Sequence, residues 1–271
     1  MVLGEKKEEK MSRAELKKAC EEAAKMRNRE REIAAEAVAD CILAQFDGKS
    51  AKMQDEWGDF ADGLDVGIIL GTGWGDVLLE KMYSRMVFPL EEVPRFDYLE
   101  ELPKIEGHHR ELIITKLRNK KVGLLRGRLH MNESHNGEEL AKVVRLQTEM
   151  LIKLGAKHLI LTNAAGSLKP KVRVGDVVAH DGFVTLFAPP LPLWGGEFVS
   201  PEDTLKRDNI RKVKRAAQKA KLTCHHGAGA MVRGPFFEGR KHDKRILREF
   251  GATMAMMSIF PEAVVAALYP E

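Results

Sequence analysis

The chain has 271 residues, enough to bury one substantial core, and α/β domains of this size often stay undivided. Its 44 basic and 40 acidic residues leave a net charge of only +4, a balance that argues against nucleic acid as a partner. Cys20, Cys41 and Cys224 are scattered without metal or redox spacing, no apolar stretch approaches membrane-spanning length, and the opening MVLGEKKEEK lacks a signal-peptide core; the expectation is a cytoplasmic protein away from membranes.

Residues 11–46 carry a helical pattern, clearest where Ile33, Ala37, Val38, Cys41, Ile42 and Phe46 recur at helical spacing. The first half is so charged that a solvated helix is expected, and residues 1–50 read as an N-terminal extension to a domain at 51–271. Strands are expected near 65–71, 85–89, 111–117, 121–126, 157–163, 175–180, 227–232 and 252–258. Helices are expected near 138–155, 208–221, 239–250 and 260–268. Such alternation predicts an α/β fold, a single domain with a mostly parallel or mixed central sheet flanked by helices. The stretch 182–206, with Phe187, Leu191 and Trp194, reads as a long loop, of a length that is usually functional or disordered.

Three strand exits carry the chemistry. Apolar Val66–Leu70 runs into Gly71-Thr72-Gly73-Trp74-Gly75, where glycines admit a ligand and Thr72 offers a hydroxyl. This is not the dinucleotide fingerprint, which needs glycine where Asp76 stands, and no Gly-Lys-Ser/Thr follows to make a P-loop. Next, Val122–Leu125 delivers Arg126, Arg128 and His130, which alternation along an extended segment puts on one side. Arginine forks match phosphate oxygens, although a solvated basic patch is the blander alternative. Third, Leu159–Leu161 breaks into Asn163-Ala164-Ala165-Gly166-Ser167, whose small side chains bare backbone amides suited to an anion. His158, His180, His225, His226 and His242 lack partners at metal-ligand spacing, so surface or core roles and no metal site are expected. Trp57, Trp74 and Trp194 read as packing residues, and the cations of 206–221 as a solvated helix face.

Together with Glu106-Gly107-His108, Val174-Gly175-Asp176, Gly234-Pro235-Phe236-Phe237-Glu238 and Met257-Ser258-Ile259-Phe260-Pro261-Glu262, these segments make the chain from Val66 to Tyr269 resemble the trimeric branch of the purine nucleoside phosphorylase family. The resemblance implies phosphorolysis of 6-oxopurine nucleosides to free base and pentose 1-phosphate. Inorganic phosphate is the co-substrate, no cofactor is used, and the assembly is a homotrimer. It implies a phosphate site of Thr72, His108, Arg128, His130, the Ala164 amide and Ser258, with Met257 against the ribose. Phe237 would stack on the purine and Glu238 would accept from its N1–H edge, leaving His130 and Glu238 as the implied catalytic pair. The related alternative is a methylthioadenosine phosphorylase-like enzyme; a different class is a nucleoside- or phosphate-binding relic without turnover.

The chain departs from the family pattern at Asn132, where tyrosine is usual, and at Ile259-Phe260, where Thr-Val is common. The pattern also continues past Glu271, through an asparagine for purine N7 and O6 and a histidine near the sugar 5′-hydroxyl. The expectation is therefore phosphate binding, weak 6-oxopurine binding and slow turnover.

Overall fold

A computed structural model of the chain describes residues 18, 29, 34–40, 42–43, 63–75, 79, 82, 85–103, 105, 108–194 and 196–270. Of the amphipathic N-terminal pattern, residues 34–40 are helical, and Ala35, Val38, Ala39 and Ile42 are buried in the main core. Ile33, Cys41, Phe46 and Trp57, like Glu106-Gly107, lie outside the described residues.

The strands form two sheets rather than one. The first has the order β2-β3-β4-β1-β5, built from β1 (Val66–Leu70), β2 (Arg85–Pro89), β3 (Glu111–Leu117), β4 (Lys120–Arg126) and β5 (His158–Leu161). Within it β1 runs parallel to β4 and β5, while β2, β3 and β4 are antiparallel. The second has the order β6-β9-β8-β7, from β6 (Gly166–Ser167), β7 (Val177–Val184), β8 (Cys224–Met231) and β9 (Met254–Met256). There β7, β8 and β9 are parallel and β6 is antiparallel to β9.

Register decides what the first sheet presents. Leu70 lies beside Arg126 and Ile69 beside Leu161, so the chain leaves three parallel strands at one level. Gly71-Thr72, Gly127-Arg128 and Thr162-Asn163 therefore emerge side by side at the carboxyl edge, where α/β sheets bind ligands. Gly71 is needed for that closeness: a Cβ there would stand 2.6 Å from the Thr162 carbonyl oxygen.

Helix α1 (Gly137–Lys153) covers this sheet. Its Asn136 cap accepts from the Glu139 amide, and it buries Leu140, Val143, Val144, Met150 and Leu151. Helix α2 (Arg207–Lys219) buries only Ala217 and lies over β7 and β8, the solvated face its charges imply. Helix α3 (Asp243–Glu249) and helix α4 (Phe260–Ala267) follow, α4 packing on α1.

Several expected boundaries move. β7 continues to Val184, so the long loop begins later than expected, and Pro201–Thr204 forms a 3-10 helix within it. β8 starts at Cys224, through the Gly-rich Gly227 and Gly229 that hide a strand from propensity. Gly227 is required there, because a Cβ would overlap the Thr253 side chain on the neighbouring segment. Helix α3 is shorter than the expected 239–250, its start set where the Asp243 carboxylate takes the Gly239 amide.

Candidate active site

Arg128 lies at the centre. β4 ends at Arg126, and Gly127 turns the chain at φ 89, a conformation free of strain for glycine. A Cβ on Gly127 would stand 2.8 Å from His108 Cα, so the turn also seats the His108 segment. This turn overturns the expectation that alternation places Arg126, Arg128 and His130 together. The Arg126 guanidinium instead pairs with Glu111 across β3 at 3.0 Å. Arg128 turns inward, and its Nη1 donates to the Thr162 carbonyl at 2.7 Å and to Ser258 Oγ at 2.9 Å. Its Nε stands 2.7 Å from Glu262 Oε1, with both side chains 1% exposed. That contact is an ion pair without a well-formed hydrogen bond, whereas Nη2 is buried with neither an ion-pair nor a hydrogen-bond partner, a donor poised for an anion.

Two histidines flank it. His108 Nδ1 lies 2.8 Å from the Arg128 carbonyl oxygen, which can only accept, so Nδ1 carries the proton and Nε2 faces Thr72 Oγ1 at 3.5 Å. Burial holds the His108 ring below its ordinary pKa, with the neighbouring His130 acting in the same direction, so it is neutral. His130 stacks on His108 with ring centroids 4.9 Å apart. Its Nδ1 reaches Glu133 Oε1 at 3.2 Å, and its backbone amide donates to the same oxygen at 2.7 Å.

Glu133, Arg110 and Gln147 were not singled out by the sequence. Burial pushes the Glu133 carboxyl up, but hydrogen bonds from His130 and the charge of Arg110 more than offset it, leaving it below the usual range. Arg110 pairs with Glu133 at 3.1 Å, and its Nη1 and Nη2 also hold the Leu99, Leu102 and Pro103 carbonyls. Gln147 of α1 is buried; it accepts from the Leu129 amide at 2.9 Å and donates to the Leu129 carbonyl at 3.1 Å. That amide pair clamps the segment between Arg128 and His130. The only sequence signal for Gln147 is a polar residue on the apolar face of α1. Glu133 follows His130 by three residues in a turn whose geometry propensity does not announce.

The structure thus brings Thr72, His108, Arg128, His130 and Ser258 together. Ala164 lies exposed in the loop two residues past Thr162. His108, His130 and Glu133 offer ligand atoms within 4.8 Å of one another. The Glu133 oxygens already accept from His130 and Arg110, and Arg110 and Arg128 carry positive charge beside the cluster, so its electrostatics suit an anion better than a cation.

The Phe237–Glu238 segment is built differently. Phe237 is 86% exposed, and Glu238 Oε1 pairs with Lys244 at 3.1 Å. A Cβ on Gly166 would be 3.6 Å from that carboxylate, so Glu238 lies over β6. Met257 is half-buried beside Gly234, whose φ of 56 is a conformation that favours glycine.

His225 and His226, which lack metal-ligand spacing in the sequence, each meet a carboxylate in the fold: Asp176 at 2.9 Å and Asp181 at 2.6 Å, brought from β7's side of the sheet. One bland expectation needs correction. Trp74 is an exposed side chain rather than a packing residue, whereas Trp194 lies under Arg145 at 5.0 Å. Among the described residues no helix is long and apolar enough to cross a membrane.

Known proteins share this arrangement of chain. The family model described as the phosphorylase superfamily matches residues 65–270. Purine nucleoside phosphorylase of Mycobacterium leprae is 31% identical over 202 residues, covering 74% of this chain and 70% of the relative. The Schistosoma mansoni purine nucleoside phosphorylase in complex with adenosine superposes with TM-score 0.62 at 26% identity, over 79% of this chain and 75% of that one. A schistosoma purine nucleoside phosphorylase in complex with hypoxanthine superposes with TM-score 0.62 at 25% identity, over 81% and 76%. A sequence match spanning three quarters of the chain, on a fold shared with solved relatives, places this protein in the purine nucleoside phosphorylase family of enzymes, within the phosphorylase superfamily.

Proposed function

We propose that this enzyme cleaves 6-oxopurine nucleosides with inorganic phosphate, giving free purine and pentose 1-phosphate, with neither metal nor organic cofactor. The observation that carries the reading is Arg128. Its Nη2 is a buried, unpartnered donor on a guanidinium otherwise fixed by Thr162, Ser258 and Glu262. Such a donor, beside the Ser258 and Thr72 hydroxyls and His130, fits a phosphate oxygen.

A phosphate oxygen attacks the anomeric carbon as the carbon–nitrogen bond breaks, its electron pair passing to the purine, which takes up one proton on release. The held anion stabilises the oxocarbenium character of the sugar. Ser258 Oγ already accepts from Arg128, so its own proton is free for phosphate. Glu133 accepts from His130 Nδ1 and so leaves Nε2 to accept from a protonated oxygen of the same phosphate. The Ala164 amide is assigned to the far side of the anion and Met257 to the ribose. Phe237 is assigned to purine stacking and Glu238 to the purine N1–H, which selects a 6-oxopurine by leaving a carboxylate unpaired with any other.

We further propose a cytoplasmic homotrimer serving purine salvage, with residues 1–50 as an extension of the 51–271 domain. Exposed Leu186, Phe187 and Phe198 beside the long loop, with Phe250, support an interface. Light scattering at micromolar concentration is expected to give three times the monomer mass.

A second reading, binding without efficient turnover, is favoured by the exposure of Phe237. Base release from inosine, guanosine, adenosine and methylthioadenosine, measured with and without phosphate, separates the readings. Phosphate-dependent release from inosine or guanosine supports the first. Calorimetric phosphate binding with no released base supports the second. Turnover confined to methylthioadenosine overturns the base assignment.

A further inference from the structure

The turn after β9 delivers two side chains to one guanidinium. Ser258 meets Arg128 Nη1, the chain reverses through Ile259 at φ 74, and Glu262 in the first turn of α4 meets Nε. A β-branched residue in the left-handed region is strained, and such strain persists only where surrounding structure holds it. Here Ile259 and Phe260 are buried in a cluster with Met231, Met256 and Val264. The strained turn is therefore anchored, and it fixes the hydroxyl and the carboxylate on adjacent edges of Arg128.

From this geometry we infer that Glu262 is a positioning residue for phosphate: it holds Arg128 Nε so that Nη2 faces the anion, and its charge limits how tightly the anion is held. The inference rests on the phosphate reading above. A buried guanidinium needs a compensating charge while the site is empty, and Glu262, itself 1% exposed, supplies it. Once phosphate arrives, the carboxylate is a like charge close to the dianion and weakens its binding. An enzyme whose product is a phosphate ester gains from that limit, because the product must leave through the same donors.

The two roles separate in two variants. Glu262→Gln keeps an acceptor for Nε and removes the charge, so inorganic phosphate titrated by calorimetry should bind about threefold to tenfold more tightly. The KM for phosphate should fall with it, kcat should fall, and the KM for nucleoside should hold. Glu262→Asp keeps the charge but stops one methylene short of Nε, so phosphate should bind at least about threefold more weakly. A residue needed only for stability would move both variants in the same direction. Equal or weaker phosphate binding by a folded Glu262→Gln protein overturns the inference; if that variant does not fold, unchanged phosphate binding by Glu262→Asp overturns it. Should the unaltered chain bind phosphate and lose it in Arg128→Met, while both Glu262 variants bind normally, the site reading stands and the inference on Glu262 alone falls. No phosphate binding by the unaltered chain removes both.

Discussion

The proposed anion end and the proposed base end of this site are built in opposite ways. Arg128, Glu262, His108, Ser258 and Glu133 are buried or nearly so, each tied to a partner from a different element. Phe236 and Phe237 stand in solvent, and Glu238 is held only from its own neighbourhood by Lys244. The anion end sits on strand exits whose register is fixed by the sheet; the base end sits on the loop between β8 and α3. A charge that must act in a defined direction needs the rigid support, whereas a ring that stacks on an incoming base can be completed by that base. Pre-organisation is concentrated where the proposed reaction would develop charge.

The largest break in that contrast should come from Arg128→Ala. It strands Glu262 as an uncompensated buried charge and should cost about 3–5 kcal/mol of stability, together with phosphate binding. Urea unfolding and calorimetry check both effects. Gln147→Leu tests the rigid end at a residue that touches no ligand. It leaves the buried Leu129 amide and carbonyl without partners, and about 2–4 kcal/mol of destabilisation is expected in urea melts.

Acid should act on the same end. The pKa of His108 lies below its ordinary value of 6.5 in the fold, so the unfolded chain binds its proton more readily. Its contribution to stability is full above about that value and is lost as pH falls through the folded pKa. Glu133, also lowered, adds a further loss at lower pH, below the ordinary carboxylate value of 4.5. Thermal melts across the acid range should show the first decline, and His108→Gln should flatten it. Phe237→Ala sharpens the contrast from the other side. Stability should stay within about 0.5 kcal/mol, since the ring is already in solvent. Purine binding should weaken by about 0.5–1.5 kcal/mol through lost stacking, as measured by hypoxanthine titration.

Much of this molecule is local information. Short continuous apolar runs mark β1, β3 and β4, and the Gly71–Gly75 and Asn163–Ser167 exits announce themselves by small residues after apolar strands. Helix α1 shows its apolar stripe in the same way. Thr72, His108, Arg128, His130 and Ser258 could be named because each stands in a short ordered motif. What the sequence could not show is which partner each one takes. Arg126 and Arg128 look equivalent along the chain, yet one φ of 89 at Gly127 sends the first to Glu111 and the second to the centre of the site. Gln147, Glu133 and Glu262 are indistinguishable by type from surface residues until α1, the His130 turn and α4 are packed against the strand ends. Residue type and spacing determined the elements and the kind of chemistry, because both depend on neighbours in sequence. Sheet register and helix docking decided the division into two sheets, the Leu129 clamp by Gln147, the pairing of Arg128 with Glu262 and the unpartnered Nη2 of Arg128, because those depend on residues 18 to 134 positions apart.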